Sequence, residues 1–573
     1  MLTKGLKLTA MYAFDVYNEI HVHQDRAEST YNFLDTSVPY DMNGQPILQR
    51  IYEGSNVLSY KQETSGNKKT YLEASLNYDR TFNDAHRVSA LFLFNQQSKL
   101  LYPKGTLEDA IPYRMMGIAG RATYSWKDRY FAEFNIGYNG AENFSPKHRF
   151  GTFPAFGVGW VVSNEKFWQP LSKAVSFLKI RYTDGKVGNS EVSDRRFMYL
   201  DQMKENGDYG YKFGPNGTKW SGYETVNMAV DLIWEESRKQ DLGIDLKLFN
   251  DDLSIVFDLF KERRENILLK REHSIPSFLG YNTSAPYGNI GIIENKGFDG
   301  TIEYNKRINK DWVIALRGNV TFNKDKWIQG ELPEQKYEWM NQYGHNINGV
   351  KGYVAEGLFT QTEIDDMARW ESLSDANKAI TPKPFASQFG TVKAGDIKYK
   401  DLNNDGQIDA YDQTYISRGD VPTTVYGFGF TVGWKDLSVG MMFQGVAGAE
   451  RVLNGSSVNP FNGGGGSGNL YSNIGDRWTE ENPDQNAFYP RLSYGSETTS
   501  NINNFQKSTW WVRNMNFLRL KTLQISYNLP KPWVNKVHLK NAAVYVMGTN
   551  LFTLSRFKSV SYTHLTLPTN SRV

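Results

Sequence analysis

From Asp401 to Asp412 the chain reads Asp-Leu-Asn-Asn-Asp-Gly-Gln-Ile-Asp-Ala-Tyr-Asp. Asp401, Asn403 and Asp405 supply side-chain oxygens at alternate positions, Gly406 permits the sharp turn, Gln407 offers its backbone carbonyl, and Asp409 and Asp412 follow at the spacing of a calcium-binding loop. These six residues are candidate ligands for a structural rather than catalytic Ca²⁺. Asp412 stands where a bidentate Glu is usual and is one methylene shorter, which reduces coordination or lets Mg²⁺ compete. The competing reading is an Asx-rich surface turn that binds no ion. Four aromatic residues upstream, Tyr337, Trp339, Tyr343 and Trp370, offer ring faces that suit the apolar faces of sugars, with packing inside their own loop as the alternative.

Other polar clusters carry less. The run at 462–468, Asn-Gly-Gly-Gly-Gly-Ser-Gly, lacks the Gly-Lys-Ser/Thr ending of a phosphate-binding loop and reads as a flexible loop. His21 and His23 share a strand face but have no third ligand nearby in sequence. Glu235 and Glu236 are adjacent, so on a strand they point to opposite faces and make a poor pair for glycoside hydrolysis. No residue is a catalytic candidate, and an enzyme is not expected.

The elements that must position these residues are strands. The chain has 573 residues, no cysteine, a net charge of +3, and an aromatic fraction of 14% alongside a mean hydropathy of -0.55. Disulfides and Cys-ligated metals are excluded, and the near-balanced charge gives no basic stripe for nucleic acid. No apolar run reaches the roughly 18 residues of a spanning helix, which says nothing against spanning strands. Ala132, Phe134, Ile136 and Tyr138 alternate with Glu133, Asn135 and Gly137. Ile314, Leu316, Val320 and Phe322 oppose Arg317, Asn319, Thr321 and Asn323, and Leu523, Ile525, Tyr527 and Leu529 oppose Gln524, Ser526 and Asn528. One face of each strand is apolar and the other polar.

A β-sandwich alternates in the same way, so connection lengths must arbitrate. Short turns fall near Asn83-Asp84, Lys127-Asp128, Asn250-Asp252, Ile308-Asp311 and Lys435-Asp436. Long connections fall at 98–116, 187–235, 264–296, 324–424 and 446–516. Short turns on one side and long loops on the other characterise outer-membrane barrels. The expected fold is all-β, a transmembrane antiparallel barrel wall of about 15 strands. Trp126, Tyr130, Trp160, Trp168, Trp312 and Trp434 lie at strand ends beside short turns, where an aromatic girdle meets the inner lipid interface. Thr362-Glu363-Ile364-Asp365 predicts the start of a short helix running towards Lys378 inside the 324–424 loop.

The order of segments resembles the SusC/RagA type of TonB-dependent outer-membrane transporter, the glycan and peptide importers of Bacteroidetes. The resemblance rests on Gly120-Arg-Ala-Thr-Tyr-Ser-Trp126 with Arg129-Tyr130; on Phe153-Pro154 through Gly159-Trp160 and Glu165; on Asn289-Ile-Gly291 with Asn295-Lys-Gly297; and on Gly395-Asp-Ile-Lys-Tyr-Lys-Asp401 through Asp409. It continues through 422–448 and 513–552. It implies a partial barrel, about 15 strands of a family barrel of about 22, occupying residues 1–560. The plug domain and TonB-binding segment are not visible, so the chain reads as truncated within the barrel. Residues 561–573 do not fit and read as a non-native or disordered tail.

The resemblance also implies import of oligosaccharides or peptides, a SusD-like lipoprotein as partner, TonB acting through the missing N-terminal region, and the outer membrane of a Gram-negative bacterium as location. Two rivals remain open. One is a TonB-dependent receptor for iron chelates or vitamins, which shares the barrel but not the 395–412 signature. The other is a soluble, calcium-stabilised β-sandwich that binds or hydrolyses glycans.

Overall fold

The computed structural model describes residues 4–34, 38–103, 110–191, 196–276, 278, 285–455, 458, 460, 473–493, 501–536 and 538–557. The glycine-rich run 462–468 and the tail 561–573 lie outside these. A single 15-stranded antiparallel sheet forms the wall. Its first eight strands are β1 (Leu6–His23), β2 (Lys61–Phe82), β3 (His86–Tyr102), β4 (Tyr113–Trp126), β5 (Tyr130–Ala141), β6 (Phe150–Val161), β7 (Val175–Asn189) and β8 (Glu235–Leu248). The rest are β9 (Leu253–Lys270), β10 (Tyr287–Arg307), β11 (Trp312–Gln329), β12 (Thr424–Trp434), β13 (Leu437–Ala447), β14 (Phe517–Asn528) and β15 (Ala543–Ser555). Each pairs with its neighbours in this order, and β1 and β15 are the two edges.

Register carries the alternation of single strands across the whole wall. Leu8, Leu76, Phe92, Gly120, Ile136 and Pro154 sit opposite one another from β1 to β6. Leu246, Ile255, Ile302, Gly318, Phe428 and Phe443 do the same from β8 to β13. One residue along, the rows read Asn77, Leu91, Arg121, Asn135 and Ala155, or Glu303, Arg317 and Gly429. Because side chains alternate faces, one side of the sheet is a continuous apolar band and the other is largely polar. Phe92, Ile302 and Phe428 of the band are 53%, 48% and 43% exposed, an apolar surface far too extensive to face water. Lipid outside and a polar lumen inside satisfy both faces.

The turns fall as the spacing predicts. Asn83 and Asp84 have φ of 49° and 51°, and Lys127 and Asp128 have 52° and 50°. Paired left-handed residues open these three-residue connections with a turn whose twist suits a hairpin, and Asn and Asp tolerate that conformation well. On the opposite side the strands outrun the expected boundaries. The connection expected at 264–296 shrinks to 271–286, because β9 runs to Lys270 and β10 begins at Tyr287. From Arg264 the sequence looks like loop because beyond the bilayer both faces meet water and alternation disappears, while the ladder continues.

The main hydrophobic core lies outside the wall. The connections 330–423 and 448–516 fold together around Tyr353, Leu358, Ile397, Tyr399, Ile408, Leu453, Trp478, Tyr489 and Trp511, all under 9% exposed. Small sheets brace each from within, Ala355–Leu358 pairing with Ile397–Tyr399 and Glu450–Val452 with Val512–Asn514, and a parallel bridge from Tyr353 to Ser508 links the two. The expected helix is two. Residues Gln361–Glu371 are capped by Thr360, not Thr362, through a capping box with Glu363, and Asp375–Ile380 is capped by Ser374. Both Thr360 and Thr362 precede an acidic residue by three, and the carboxylate long enough to reach back is Glu363.

Candidate functional site

The aspartate loop is held by its own carboxylates. Gly406 N donates to Asp401 Oδ2 at 2.8 Å, Asp405 N to Asn403 Oδ1 at 3.0 Å, and Gln407 N to Asp405 Oδ1 at 3.0 Å. Gly406 has φ of 82°, the left-handed conformation that the sharp turn needs. Asp412 is fully buried and joins the two ends of the loop, accepting Leu402 N at 2.7 Å and Asp409 N at 2.9 Å. Asp401 Oδ1 is buried and has no hydrogen-bond partner. A buried carboxylate oxygen without a donor is costly unless a cation satisfies it, and the all-oxygen donor set suits a hard cation. The other carboxylates serve backbone N–H groups. Among the described residues no group of three or more His, Asp or Glu side chains is already gathered around one point.

Just ahead of the loop, Asp396 is fully buried. Arg491 donates to it twice, at 3.0 Å each, and Asn501 and Asn504 once each at 2.9 Å. Lys393 N adds a fifth bond of 2.8 Å. The segment 501–504 also reads the next residue: Ile397 N donates to Asn504 Oδ1 and Asn503 Nδ2 to Ile397 O. Tyr399 OH donates to Asn503 O at 2.7 Å, and burial pushes its phenol far above the usual range. Gly395, with φ of 83°, packs so that a Cβ would sit 2.3 Å from the Trp478 ring. The stretch 395–401 is thus the central seam of the outer core. Arg491, Asn501, Asn503 and Asn504 had no sequence signal beyond an asparagine-rich run.

The four aromatic candidates separate. Tyr337 and Trp339 stack at 4.6 Å and 6°, and Tyr411 of the aspartate loop meets Tyr337 edge-on at 5.9 Å. Tyr343 OH donates to Leu332 O. Trp370 donates Nε1 to Thr381 O at 2.9 Å, and the Lys378 and Lys383 ammonium groups lie 5.5 and 5.8 Å from its ring centre. Tyr337 and Trp339 are therefore one group beside the loop, and Trp370 is engaged with its own helical segment.

At the short-turn end, Glu165 gathers the residues that carried the family resemblance. Tyr130 OH donates to it at 2.7 Å, Trp160 Nε1 at 3.3 Å and Arg129 at 3.3 Å. The Tyr130 hydroxyl holds the Glu165 carboxyl below the usual range. Tyr130 stacks between Trp126 at 5.8 Å and Trp160 at 6.4 Å, and Trp312 and Trp434 pair at 6.2 Å. Trp168 stands apart, its Nε1 donating to Val175 O. Farther along the wall, Asn289 fastens β10 by donating to Ile233 O and Asn266 O and accepting from Ile233 N. A Cβ at Gly297 would lie 1.9 Å from Phe322 O.

The weak candidates each have charged or aromatic neighbours. His21 and His23 are 6.3 Å apart with Glu19 2.9 Å from His21, Glu235 faces Arg264 at 3.5 Å, and Glu236 faces Lys186 at 2.8 Å.

No protein-family model matches the chain. It is 26% identical over 446 residues to TonB-dependent receptor P3 of Formosa agariphila, covering 77% of this chain and 41% of that protein. It is 23% identical over 456 residues to TonB-dependent receptor SusC of Bacteroides thetaiotaomicron, covering 77% and 40%. Among solved structures, the RagAB peptide importer in its open-open state superposes with a TM-score of 0.71 at 19% identity, covering 98% of this chain and 56% of that one. The chain spans about half the length, or somewhat less, of the curated relatives it matches.

Proposed function

We propose, from the premise that this chain is a barrel segment of the SusC type of TonB-dependent receptor and resides in an outer membrane, that it works within a longer importer of oligosaccharides or peptides. The observation that carries this is the apolar band, continuous in register from β1 to β13 and backed by a polar lumen face. A soluble β-sandwich would bury that band against a second sheet, and among the described residues no second sheet covers it. A SusD-like lipoprotein would sit on the long-loop side, and TonB would act on a segment outside this chain. The curated relatives are named as receptors, and the substrate class remains the choice between glycan, as an expectation for this family type, and peptide, as RagAB imports.

The test is uptake by cells carrying the longer protein. Deleting its gene should abolish accumulation of either labelled oligosaccharide or labelled oligopeptide, and restoring it should return that uptake. If neither changes, the importer reading fails. Topology is checked separately: Gln202–Phe213 and Thr218–Asn227 form a hairpin within the long connection between β7 and β8, and an epitope inserted at its 214–217 turn should be labelled on intact cells, whereas one at Lys435-Asp436 should not.

The aspartate loop adds a structural cation to this reading. Asp401, Asn403, Asp405, Gln407 and Asp409 would supply oxygens, and Asp412 would close the loop as it already does. The unpartnered Asp401 Oδ1 supports it. Calorimetry of the longer protein should show Ca²⁺ binding that Asp405→Ala removes. Absence of such binding at millimolar Ca²⁺ would leave the loop as an Asx-rich turn. Of the aromatic candidates, Tyr337 and Trp339 would be the ones to meet substrate, a reading supported by their stacking as one group beside the loop.

A further inference from the structure

Most connections at the short-turn end are as brief as a hairpin allows: 83–85, 127–129, 249–252, 308–311 and 435–436. The one between β6 and β7 is longer, running from 162 to 174 through two 3₁₀ segments, Val162–Asn164 and Lys166–Leu171. It is firmly held. Asn164 Nδ2 donates to Asp128 O at 2.8 Å, Arg129 pairs with Glu165 at 3.3 Å, and Phe249 N donates to Ala174 O at 3.0 Å, which ties it to a turn on either side. This braced unit nevertheless leaves Phe167 63%, Leu171 51% and Phe249 56% exposed.

Position says what covers them. Glu165, between the two 3₁₀ segments, accepts from Tyr130 OH and Trp160 Nε1, and Trp126, Tyr130 and Trp160 are register partners on the apolar face of the wall. The connection therefore leaves the wall on its lipid side, at the level where aromatic rings meet lipid headgroups. Its charge is one-sided. Across 127–129 and 162–174 the cations are Lys127, Arg129, Lys166 and Lys173, and the carboxylates are Asp128 and Glu165, four against two, with Glu165 already paired to Arg129. Among the described residues Lys166 and Lys173 have no ion pair. The brief turns 83–85, 249–252, 308–311 and 435–436 carry at least as many acids as bases. The other long connection at this end, 529–542, repeats the pattern: Lys531, Lys536 and Lys540 with no carboxylate, and Trp533 64% exposed beside a buried Val534.

We propose that the 162–174 connection is a foot on the inner leaflet of the membrane, with Phe167 and Leu171 entering the interface beside the Trp126–Tyr130–Trp160 girdle and Lys166 and Lys173 reaching the phosphates of anionic phospholipids. Lysine suits this place, because its stem lies along apolar surface while its ammonium stays among headgroups. The inference rests on the wall facing lipid, and not on what the longer protein imports.

The longer protein, with any cysteine outside this chain replaced by serine, is given a fluorescent label at Gln169→Cys, an exposed position between the two apolar residues. It is reconstituted at low salt into vesicles of phosphatidylethanolamine with a minor fraction of phosphatidylglycerol, and a nitroxide quencher is carried on the upper acyl chain of one lipid or the other. Both should quench the label, and the phosphatidylglycerol quencher should be locally enriched by about fivefold for each lysine, the equivalent of about 1 kcal/mol. Lys166→Gln with Lys173→Gln should remove that preference and keep the quenching, whereas Phe167→Ser with Leu171→Ser should weaken quenching by both lipids. A second label at Phe156→Cys, in the apolar band and 49% exposed, reports whether the wall itself sits in lipid. If the Phe156→Cys label is quenched and the Gln169→Cys label is not, the connection faces water or another segment of the longer protein, and the inference alone is overturned. Equal quenching by the two lipids would overturn the headgroup contact. If neither label is quenched, the membrane reading of the wall falls and the inference with it.

Discussion

Arg491 and Asp396 stand 95 positions apart in sequence and meet through two hydrogen bonds of 3.0 Å, with Asp396 fully buried. The pair is the point at which the two longest outer connections become one folded unit. Removing the guanidinium leaves a buried carboxylate with two asparagines and one backbone N–H, and breaking a buried pair this way costs about 3–5 kcal/mol. Arg491→Ala should therefore open the outer core and leave the wall folded. Hydrogen exchange should accelerate at 353–411 and 476–514 and stay slow in β4 to β9; equal acceleration in the wall would refute a separable core.

Gly395→Ala tests the seam more gently. Its Cβ would enter the Trp478 ring, and its φ of 83° disfavours any side chain. Overpacking of a filled core costs about 1–3 kcal/mol. The variant should lose protection over the same segments as Arg491→Ala, to a smaller degree, and full retention of protection would show that the ring has room to move.

The lipid face makes a paired prediction. Phe430 lies between Leu316 and Met441 in the apolar band, while Thr431 lies between Ala315 and Gly440 on the lumen face. Phe430→Arg should cost roughly 2–4 kcal/mol near the bilayer midplane, and Thr431→Arg much less. Urea titrations of the protein refolded into lipid vesicles would measure both, and equal costs would contradict the assignment of faces.

Stability of the outer unit should depend on pH through His345, which stacks on Tyr415 at 4.1 Å. Burial pushes its imidazole below the usual range, and the Lys351 ammonium adds to the effect. The unfolded segment then binds more protons than the folded one between the two pKa values, so stability is present above the ordinary histidine pKa and lost as pH falls through the folded one. Exchange protection at 350–417 should fall between pH 7.5 and pH 5, and His345→Gln should flatten that change. An unchanged slope would assign the pH dependence to other groups.

The wall was legible in the sequence because lipid on one side and water on the other impose a period of two, and turn residues such as Asn83-Asp84 and Lys127-Asp128 mark where it reverses. Legibility ended where that asymmetry ends. From Arg264 the strand continues without any alternation to show it. The outer core was hidden for another reason: Asp396 finds Arg491, Asn501 and Asn504 across a separation that no local pattern spans. Within the aspartate loop spacing named the candidate ligands, and it could not show that Tyr411 leads on to Trp339 and Tyr337 but not to Trp370.

The shared core of the two outer connections also limits how such proteins can be recombined. A loop that packs only on its own strands can be exchanged between relatives alone, as a cassette. Here Ile397 is read by Asn503 and Asn504, and Trp478 fills the space beside Gly395, so half of each interface comes from the other segment. The smallest transferable piece runs from the end of β11 to the start of β14 and includes the β12–β13 hairpin. A chimera cut within that hairpin would inherit two halves that do not recognise each other, however well its wall closed.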